Sequence, residues 1–273
     1  MSISRRKFII NAGILTGTLV LADSFWFEKY FIETNEFYLG DASKETENIK
    51  LVQLSDLHLQ SIGGMHKTLC KKINKLNPDL IFFTGDVVDK KENISLVKDF
   101  LQLLNPDIQK AAITGNWEYW GNVDLTALRK LYKESNCDFL INQGKQYFIK
   151  NKTIAVSGLD DYIGGKADFE LTMKDYVKSD FHIVLNHCPG YRDVMLPQLK
   201  EDIKVDLILS GHTHGGQITI FGFIPFKPPG SGNYLKGWYD TYPRTYVSKG
   251  IGTSVIPARF GARAEVGVFH LKA

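Results

Sequence analysis

Cysteine is scarce in this 273-residue sequence, which has only Cys70, Cys137 and Cys188. The three form no CxxC pair and no regularly spaced framework, so a disulfide-stapled small domain and a cysteine-based zinc site are not expected. A single bridge between two of them stays open. Cys188 lies between His187 and a proline, where a small residue in a turn is the simpler interpretation.

A strong charge of either sign is also missing. The chain has 33 basic and 30 acidic residues, and the three basic residues at positions 5–7 account for the difference. The balanced remainder gives no electrostatic basis for binding nucleic acid. Internal repeats and low-complexity tracts are absent from the sequence as well, which argues against a solenoid. The 273 residues are enough for one large α/β domain or at most two small ones, and an apolar content of 44% is ordinary for a globular protein.

The apolar run near the N-terminus, residues 8–22, has 15 residues and falls short of the roughly 20 that span a bilayer. It follows Ser4-Arg5-Arg6-Lys7, a pattern typical of a twin-arginine export signal. We expect residues 1–27 to be a signal or membrane anchor, with the protein exported by that route or associated with the membrane. An uncleaved anchor stays open because no clear Ala-x-Ala site follows. Residues 28–48 are predicted to form a connector, with an edge strand at residues 37–39.

From residue 49 onward, apolar strand-like runs alternate with helical stripes, which is typical of an α/β fold. Helices are predicted at residues 67–76, 94–104, 123–132 and 169–177. A proline follows each of the first two, and proline disfavours helical backbone in the residue before it. Short strands are predicted at residues 146–150, 153–157, 245–248 and 265–271. We expect residues 49–273 to form a single domain.

Five apolar strands end in Asp, Asn or His, and the carboxyl ends of parallel strands meet at one edge of a sheet. Oxygen and nitrogen ligands that converge there predict a site for divalent metal ions, with Asp86 on a central strand as a bridge between two ions. Each histidine alone is more simply a core or surface residue, but the set together indicates a metal centre. The candidate ligands are Asp56, His58, Asp86, Asn116, His187, His212 and His214.

These motifs are Asp56-Leu57-His58, Gly85-Asp86, Gly115-Asn116-Trp117-Glu118, His187-Cys188-Pro189 and Gly211-His212-Thr213-His214. In order and spacing they resemble the calcineurin-like metallophosphoesterase family, over about residues 49–271. The runs at 211–217 and 247–254 look like its bacterial branch of twin-arginine or membrane-associated phosphodiesterases. The resemblance implies an α/β fold of two sheets in a sandwich flanked by helices.

The resemblance also implies two ions, one held by Asp56, His58, Asp86 and His214 and the other by Asp86, Asn116, His187 and His212. Asp86, Asn116 and His187 would be catalytic. Manganese is the expected metal, and iron and zinc suit the same ligands. The implied activity is hydrolysis of a phosphodiester or pyrophosphate bond. The alternative is a non-catalytic protein of the same fold that binds a metal or a partner.

Trp117 departs from the family pattern, which usually has a histidine that can protonate the leaving group. A general acid typically raises the reaction rate by about 10²–10⁴-fold. Its loss therefore favours a leaving group that needs no proton. A phosphate leaving group meets this condition because its second pKa is near 6. The pattern therefore favours a pyrophosphate or an activated diester. The alternative is that Trp117 only packs and another group donates the proton.

The loop of residues 215–244 is rich in aromatic and aliphatic residues, which is typical of a ligand groove or membrane contact, or of a segment that covers the sheet. With the N-terminal segment it suggests a lipid-linked substrate. UDP-2,3-diacylglucosamine pyrophosphatases of lipid A synthesis are similar in these traits, but they act at the cytoplasmic face of the membrane, which conflicts with export.

Four further residues are candidates for substrate contact: Trp117, Gln217, Arg259 and Arg263. For the arginines, bidentate phosphate binding competes with a structural ion pair to Glu265. Asp89 is expected to cap or orient the loop that follows Asp86.

Overall fold

The computed structural model describes residues 4–40, 48–220 and 222–272. Its helices are α1 Arg5–Ala22, α2 Glu28–Tyr30, α3 Gly64–Leu76, α4 Ile94–Leu101, α5 Asn116–Trp120, α6 Leu125–Glu134, α7 Phe169–Met173 and α8 Tyr191–Met195. Its strands are β1 Glu33–Gly40, β2 Asn48–Leu54, β3 Leu80–Thr84, β4 Gln109–Ile113, β5 Cys137–Phe139, β6 Gln143–Ile149, β7 Lys152–Gly158, β8 Phe181–Leu185, β9 Leu207–Ser210, β10 Gly237–Tyr239, β11 Thr245–Val247 and β12 Glu265–Lys272.

Within these residues the strands form two six-stranded sheets, in the orders β1-β12-β2-β3-β4-β5 and β10-β11-β9-β8-β7-β6. The inner strands β2, β3 and β4 of the first sheet are parallel, as are β7, β8 and β9 of the second. The antiparallel pairs are β12 with β2 in the first sheet, and β10 with β11 and β6 with β7 in the second. The parallel centres therefore bring several carboxyl ends to one edge.

Each central strand is apolar on both faces and contributes side chains to two core layers. In β3, Leu80 and Phe82 belong to the cluster between the sheets, whereas Ile81 and Phe83 face the cluster formed with α3, α4 and α6. This division follows from the two-residue repeat of a strand. A third cluster packs the outer face of the second sheet against α7 and α8. The result is the two-sheet sandwich flanked by helices that the resemblance implies.

The predicted helices and strands of residues 49–273 are present, with bounds that differ by a few residues. The helix expected at residues 94–104 ends at Leu101, and the one expected at 169–177 ends at Met173. The sequence pattern does not predict β5 or α5, which have only three and five residues. The cysteines are free thiols, and all three are buried, so the bridge left open by the sequence is not formed.

The predicted connector contributes a strand to the first sheet. The edge strand expected at residues 37–39 lies inside β1, which pairs in parallel with β12 from Glu33 opposite Glu265 to Gly40 opposite Lys272. Phe37 closes the gap between the sheets through contacts with Trp238 and Phe269. The rest of the connector, residues 41–47, lies outside the described residues.

The N-terminal helix is longer than its apolar run. It continues from α1 through a π-helical turn at Asp23–Phe27 into α2, and the 26 residues of Arg5–Tyr30 are long and apolar enough to cross a membrane. All side chains of α1 are exposed. The far end of the helix is joined to the domain: Arg259 N–H donates to the carbonyl of Ser24 (2.9 Å), and the Glu28 carboxylate accepts from the N–H groups of Gly261 and Ala262.

Candidate metal centre

The seven candidate ligands lie together because their strands end at the same edges of the two sheets. Asp56 and Asp86 follow β2 and β3, and Asn116 begins α5 directly after β4. His187 follows β8, and His212 and His214 follow β9. All seven side chains are buried. The backbone turns sharply at these positions, with φ of 51° at Asp56, 52° at Asp86 and 72° at His212. Such left-handed backbone is uncommon outside glycine and clusters at functional sites.

The distances are compatible with the two expected sets, with Asp86 in both, and Asp56 also has a ligand atom within 4.8 Å of those of Asp86 and His187. In the first set, His58 Nε2 lies 3.0 Å from His214 Nε2, and His214 Nε2 lies 3.4 Å from Asp56 Oδ1. Asp86 Oδ2 is 3.9 Å from His58 Nε2.

In the second set, His187 Nε2 lies 3.1 Å from Asp86 Oδ2 and 3.2 Å from Asn116 Oδ1. His212 Nδ1 is 2.8 Å from the same Asn116 oxygen. Nitrogen and oxygen ligands about 2.0–2.1 Å from one ion lie roughly 3 Å apart, so both sets fit a divalent metal.

In three of the histidines, one ring nitrogen contacts a group outside the site, and this contact points the second ring nitrogen into the site. His187 Nδ1 donates to the carbonyl of Thr84 (2.7 Å), and His212 Nε2 donates to that of Pro229 (2.7 Å). His58 Nδ1 lies 2.5 Å from a carboxylate oxygen of Asp89. Partners of this kind fix the orientation of metal-ligating histidines and strengthen them as ligands. Asp89 is expected to cap or orient the loop after Asp86, and the structure adds a contact of its carboxylate with the candidate ligand His58.

The Asp86 carboxylate supplies negative charge at the centre of the site. Burial alone would raise the pKa of Asp86, but His187 and His58 lower it to about 2. Burial lowers the pKa of His214 well below its ordinary value, and His58 and Arg259 lower it further. Asp86 is thus a carboxylate and His214 a neutral imidazole at neutral pH, the forms that bind a metal.

Glu118 is a buried carboxylate that the sequence does not single out. Its two oxygens accept hydrogen bonds from the N–H groups of Asp86, Val87, Val88 and Gly115, over 2.7–3.2 Å. Burial raises its pKa to about 7, and the Asp86 carboxylate adds to the rise. Glu118 joins the end of β3 to the end of β4 and so fixes Asp86 relative to Asn116. One feature of the sequence could have indicated this residue: Glu118 lies three residues after the helix N-cap Gly115, which is the glutamate position of a capping box.

Of the four predicted substrate contacts, Trp117 and Gln217 lie at the site. The Trp117 N–H donates to Asp86 Oδ1 (2.8 Å), and its ring stands edge-on to His58 and Trp120. Gln217 lines the same cavity, but its side-chain amide is engaged by the backbone of Ser254 (2.9 Å) and Ile256 (2.7 Å).

The two arginines lie elsewhere. Arg259 is fully buried and donates to the carbonyls of Lys249 and Ala262 (both 2.8 Å) and of Gly252. Its Nη2 lies 3.3 Å from Nδ1 of His214, behind that ligand. The expected pair with Glu265 is not formed, since Glu265 contacts Tyr246 and Lys249 instead.

Arg263 packs over the ring of Phe27 and contacts Glu33, so it fixes the N-terminal helix rather than facing the metal ligands.

A cavity of about 600 Å³ opens above the ligands, and its walls are mostly apolar. The loop of residues 215–244 supplies much of the lining, as a ligand groove requires, but Trp238 of the same loop packs on Phe37 and Tyr246 over the sheet. Both interpretations of that loop therefore hold for different parts of it; Phe221 lies outside the described residues. The apolar lining residues are Trp117, Trp120, Ile218, Pro225, Phe226, Pro228, Pro229, Val255 and Ile256.

The sequence model of the calcineurin-like phosphoesterases matches residues 49–216 of this chain. The metallophosphoesterase YkuE of Bacillus subtilis (strain 168), whose name describes it as uncharacterized, is 33% identical over 286 residues, which cover 98% of each chain. An uncharacterized metallophosphoesterase of Aquifex aeolicus (strain VF5) is 31% identical, over 90% of this chain and 91% of its own.

Among solved structures, the 5'-nucleotidase precursor from Thermus thermophilus is similar at a TM-score of 0.45 and 16% identity, over 83% of this chain and 54% of that one. Nothing about activity follows from so distant a likeness. The family match spans more than half of the chain, and YkuE is similar along nearly its whole length. The protein therefore belongs to the calcineurin-like phosphoesterases, a family of metal-dependent phosphoric ester hydrolases.

Proposed function

We propose that the protein hydrolyses a phosphodiester or pyrophosphate bond with two divalent ions held by the seven ligands, and that manganese is the physiological metal. The observation that carries the proposal is the arrangement of two ligand sets around Asp86, at the floor of a largely apolar cavity. Two divalent ions held by these residues would polarise a phosphoryl group and lower the pKa of water. Iron and zinc suit the same ligands.

The chain's own residues hold this arrangement rigid. Asp86, Asn116 and His187 come from three different strands, and Glu118 ties the first two strands together through backbone N–H groups. The backbone N–H of Trp117 donates a hydrogen bond to Asp86 Oδ1, so Oδ2 is the oxygen that faces the histidines. Preorganised ligands of this kind need no rearrangement during the reaction.

The cavity favours a leaving group that needs no proton. Among the described residues that line it, the polar groups other than the metal ligands are Thr213, Gln217 and Ser254. The Thr213 hydroxyl donates to the carbonyl of Leu235, and the side-chain amide of Gln217 is engaged by backbone. None of these groups is a general acid, and Trp117 supplies none. A phosphate group or an activated alcohol leaves without such help.

The apolar walls favour a substrate with a lipid portion. A pyrophosphate or phosphodiester of a lipid-linked compound would place its phosphoryl group on the ligands and its acyl or prenyl chain against Trp117, Phe226 and Ile256. UDP-2,3-diacylglucosamine is one compound with these parts. The N-terminal helix would hold the enzyme on the membrane, with twin-arginine export placing it on the outer face. A UDP-linked substrate would instead require the cytoplasmic face.

The test is hydrolysis by the full-length protein in detergent, with added Mn²⁺, of an aryl phosphodiester, an aryl monoester and UDP-2,3-diacylglucosamine. We expect turnover of the diester or the nucleotide-lipid, and a loss of at least about 10³-fold in Asp86→Asn, which disables both sets. Asp138→Asn is the matched control, because Asp138 contacts Lys145 and Tyr147. Equal activity in both variants, or no metal-dependent turnover, would refute the proposal. Preference for the nucleotide-lipid would favour the cytoplasmic face.

A further inference from the structure

Two loops at the mouth of the cavity expose large apolar side chains to solvent. The relative exposure is 69% at Phe223, 68% at Phe226 and 89% at Val255, and it is close to one half at Ile220 and Ile256. We name these five residues the rim. Scattered exposed apolar residues are ordinary, but a contiguous patch marks a site of interaction.

The rim is one surface although its members come from different parts of the chain. Ile220 and Phe223 exchange two backbone hydrogen bonds of 2.9 Å in a tight turn. Gln217 joins this loop to the other, because its amide contacts the backbone of Ser254 and Ile256. Phe226, Val255 and Ile256 also line the cavity above the metal ligands. The rim therefore borders the cavity above the candidate ligands.

The rim continues into the N-terminal helix. A second groove is lined on one side by Val20 and Phe25 of the helix and on the other by Ile220, Ile256 and Phe260. Hydrogen bonds from the 259–264 loop hold this end of the helix to the domain. Asp23, Glu28 and Lys236 line the groove as well, but its apolar side chains connect a helix long enough to cross a bilayer with the rim at the metal centre.

The residues beside the rim have the composition of a membrane–water boundary. Phe25, Trp26, Tyr30 and Phe31 are exposed at the same end of the helix, and aromatic side chains of this kind concentrate at bilayer interfaces. The side chains of Lys227 and Lys236 are exposed near the rim, where they suit anionic head groups.

We propose that the rim is inserted in the same bilayer leaflet that the helix enters, so that the metal centre opens at the level of the lipid head groups. The bilayer is the occupant because the rim is continuous with a candidate membrane span and is edged by aromatic and basic residues. This inference concerns where the opening lies and stands whether or not the proposed activity is correct.

The test uses the full-length protein reconstituted in phosphatidylglycerol–phosphatidylethanolamine vesicles. Because Cys70, Cys137 and Cys188 are buried, a cysteine introduced at the surface can be labelled selectively with an environment-sensitive fluorophore. The rim variants are Phe226→Cys and Val255→Cys. The matched control is Phe148→Cys, which is 73% exposed on β6, at the edge of the second sheet opposite β10. Two rim positions are used so that, if one variant misfolds, the other still tests the proposal.

We expect doxyl-labelled lipids to quench the labels at 226 and 255 at least about threefold more than the label at 148. Aqueous iodide should quench them correspondingly less. Iodide quenching equal to that at 148 would overturn the inference, because the rim would then be in water. Protection from iodide without quenching by the doxyl lipids would overturn it as well, since a protein partner or a second copy would then cover the rim.

Discussion

Replacement of Arg259 by lysine keeps a basic side chain and removes the planar guanidinium with its several N–H donors. The guanidinium donates to the carbonyls of Gly252, Lys249 and Ala262, and its Nη2 lies 3.3 Å from Nδ1 of His214. Lysine has three donors on a single nitrogen and cannot reach acceptors on several sides at once. We expect Arg259→Lys to leave at least two buried acceptors without a partner.

The magnitude follows from the burial of the site. Hydrogen bonds to a charged group contribute about 1.5–3 kcal/mol each, so the loss of two lowers the free energy of unfolding by about 3–6 kcal/mol. Burial lowers the pKa of Arg259 to about 10, which leaves it charged at neutral pH. A lysine begins from a lower pKa and loses its charge more readily in the same place. For a chain of this size, 3 kcal/mol corresponds to roughly 6–12 °C in the unfolding temperature.

The assay is thermal unfolding of the full-length protein in detergent, followed by circular dichroism in the presence of a chelator so that metal binding does not contribute. Arg244→Lys is the matched control, because the Arg244 side chain is 43% exposed and its guanidinium contacts the nearby Asp240 and Trp238. Its unfolding temperature should change by no more than about 2 °C. An unfolding temperature of Arg259→Lys within about 2 °C of the original protein would refute the structural role argued for this residue.

Three further outcomes are expected. Asp89→Asn should weaken metal binding at the set that contains His58 by about 10–100-fold, measured by competition with a chromophoric chelator; unchanged binding of both ions would contradict the contact with His58. Trp117→His should speed hydrolysis of alkyl phosphodiesters by about 10²-fold and leave pyrophosphate hydrolysis unchanged, and an equal effect on both would show that the leaving group is not what Trp117 limits. Removal of metal by a chelator should abolish turnover and lower the unfolding temperature, and Mn²⁺ should restore both; a protein indifferent to the chelator would contradict a metal-dependent site.

The convergence of the candidate ligands was predictable because their positions depend on strand order alone. An apolar run followed by Asp86 or His187 indicates the end of a buried strand, and parallel strands end at a common edge whatever the details of their side chains. The structure brings all seven predicted ligands to that edge. The helices that separate the strands were predictable from their apolar stripes for a similar reason.

The supporting residues were not predictable, because their partners are backbone groups or are distant in the sequence. Asp89 is 31 residues from His58, and Glu118 accepts from N–H groups whose direction depends on the turn after β3. The expected pair of Arg259 with Glu265 failed because carbonyl oxygens, which every residue has, surround the guanidinium. The pairing of β1 with β12 joins the two ends of the chain, and no local pattern indicates it.

The attachment of the N-terminal helix sets a limit on proteolytic maturation. Arg259, which stands behind the metal ligand His214, uses its own N–H to hold the carbonyl of Ser24, and Glu28 holds the next turn of the same loop. A peptidase that cut after Ala22 would release the whole of α1 and leave both contacts in the mature enzyme. A cut after Phe27 would remove Ser24 and place a new charged amine on Glu28. Only processing upstream of Ser24 therefore preserves the loop that carries Arg259.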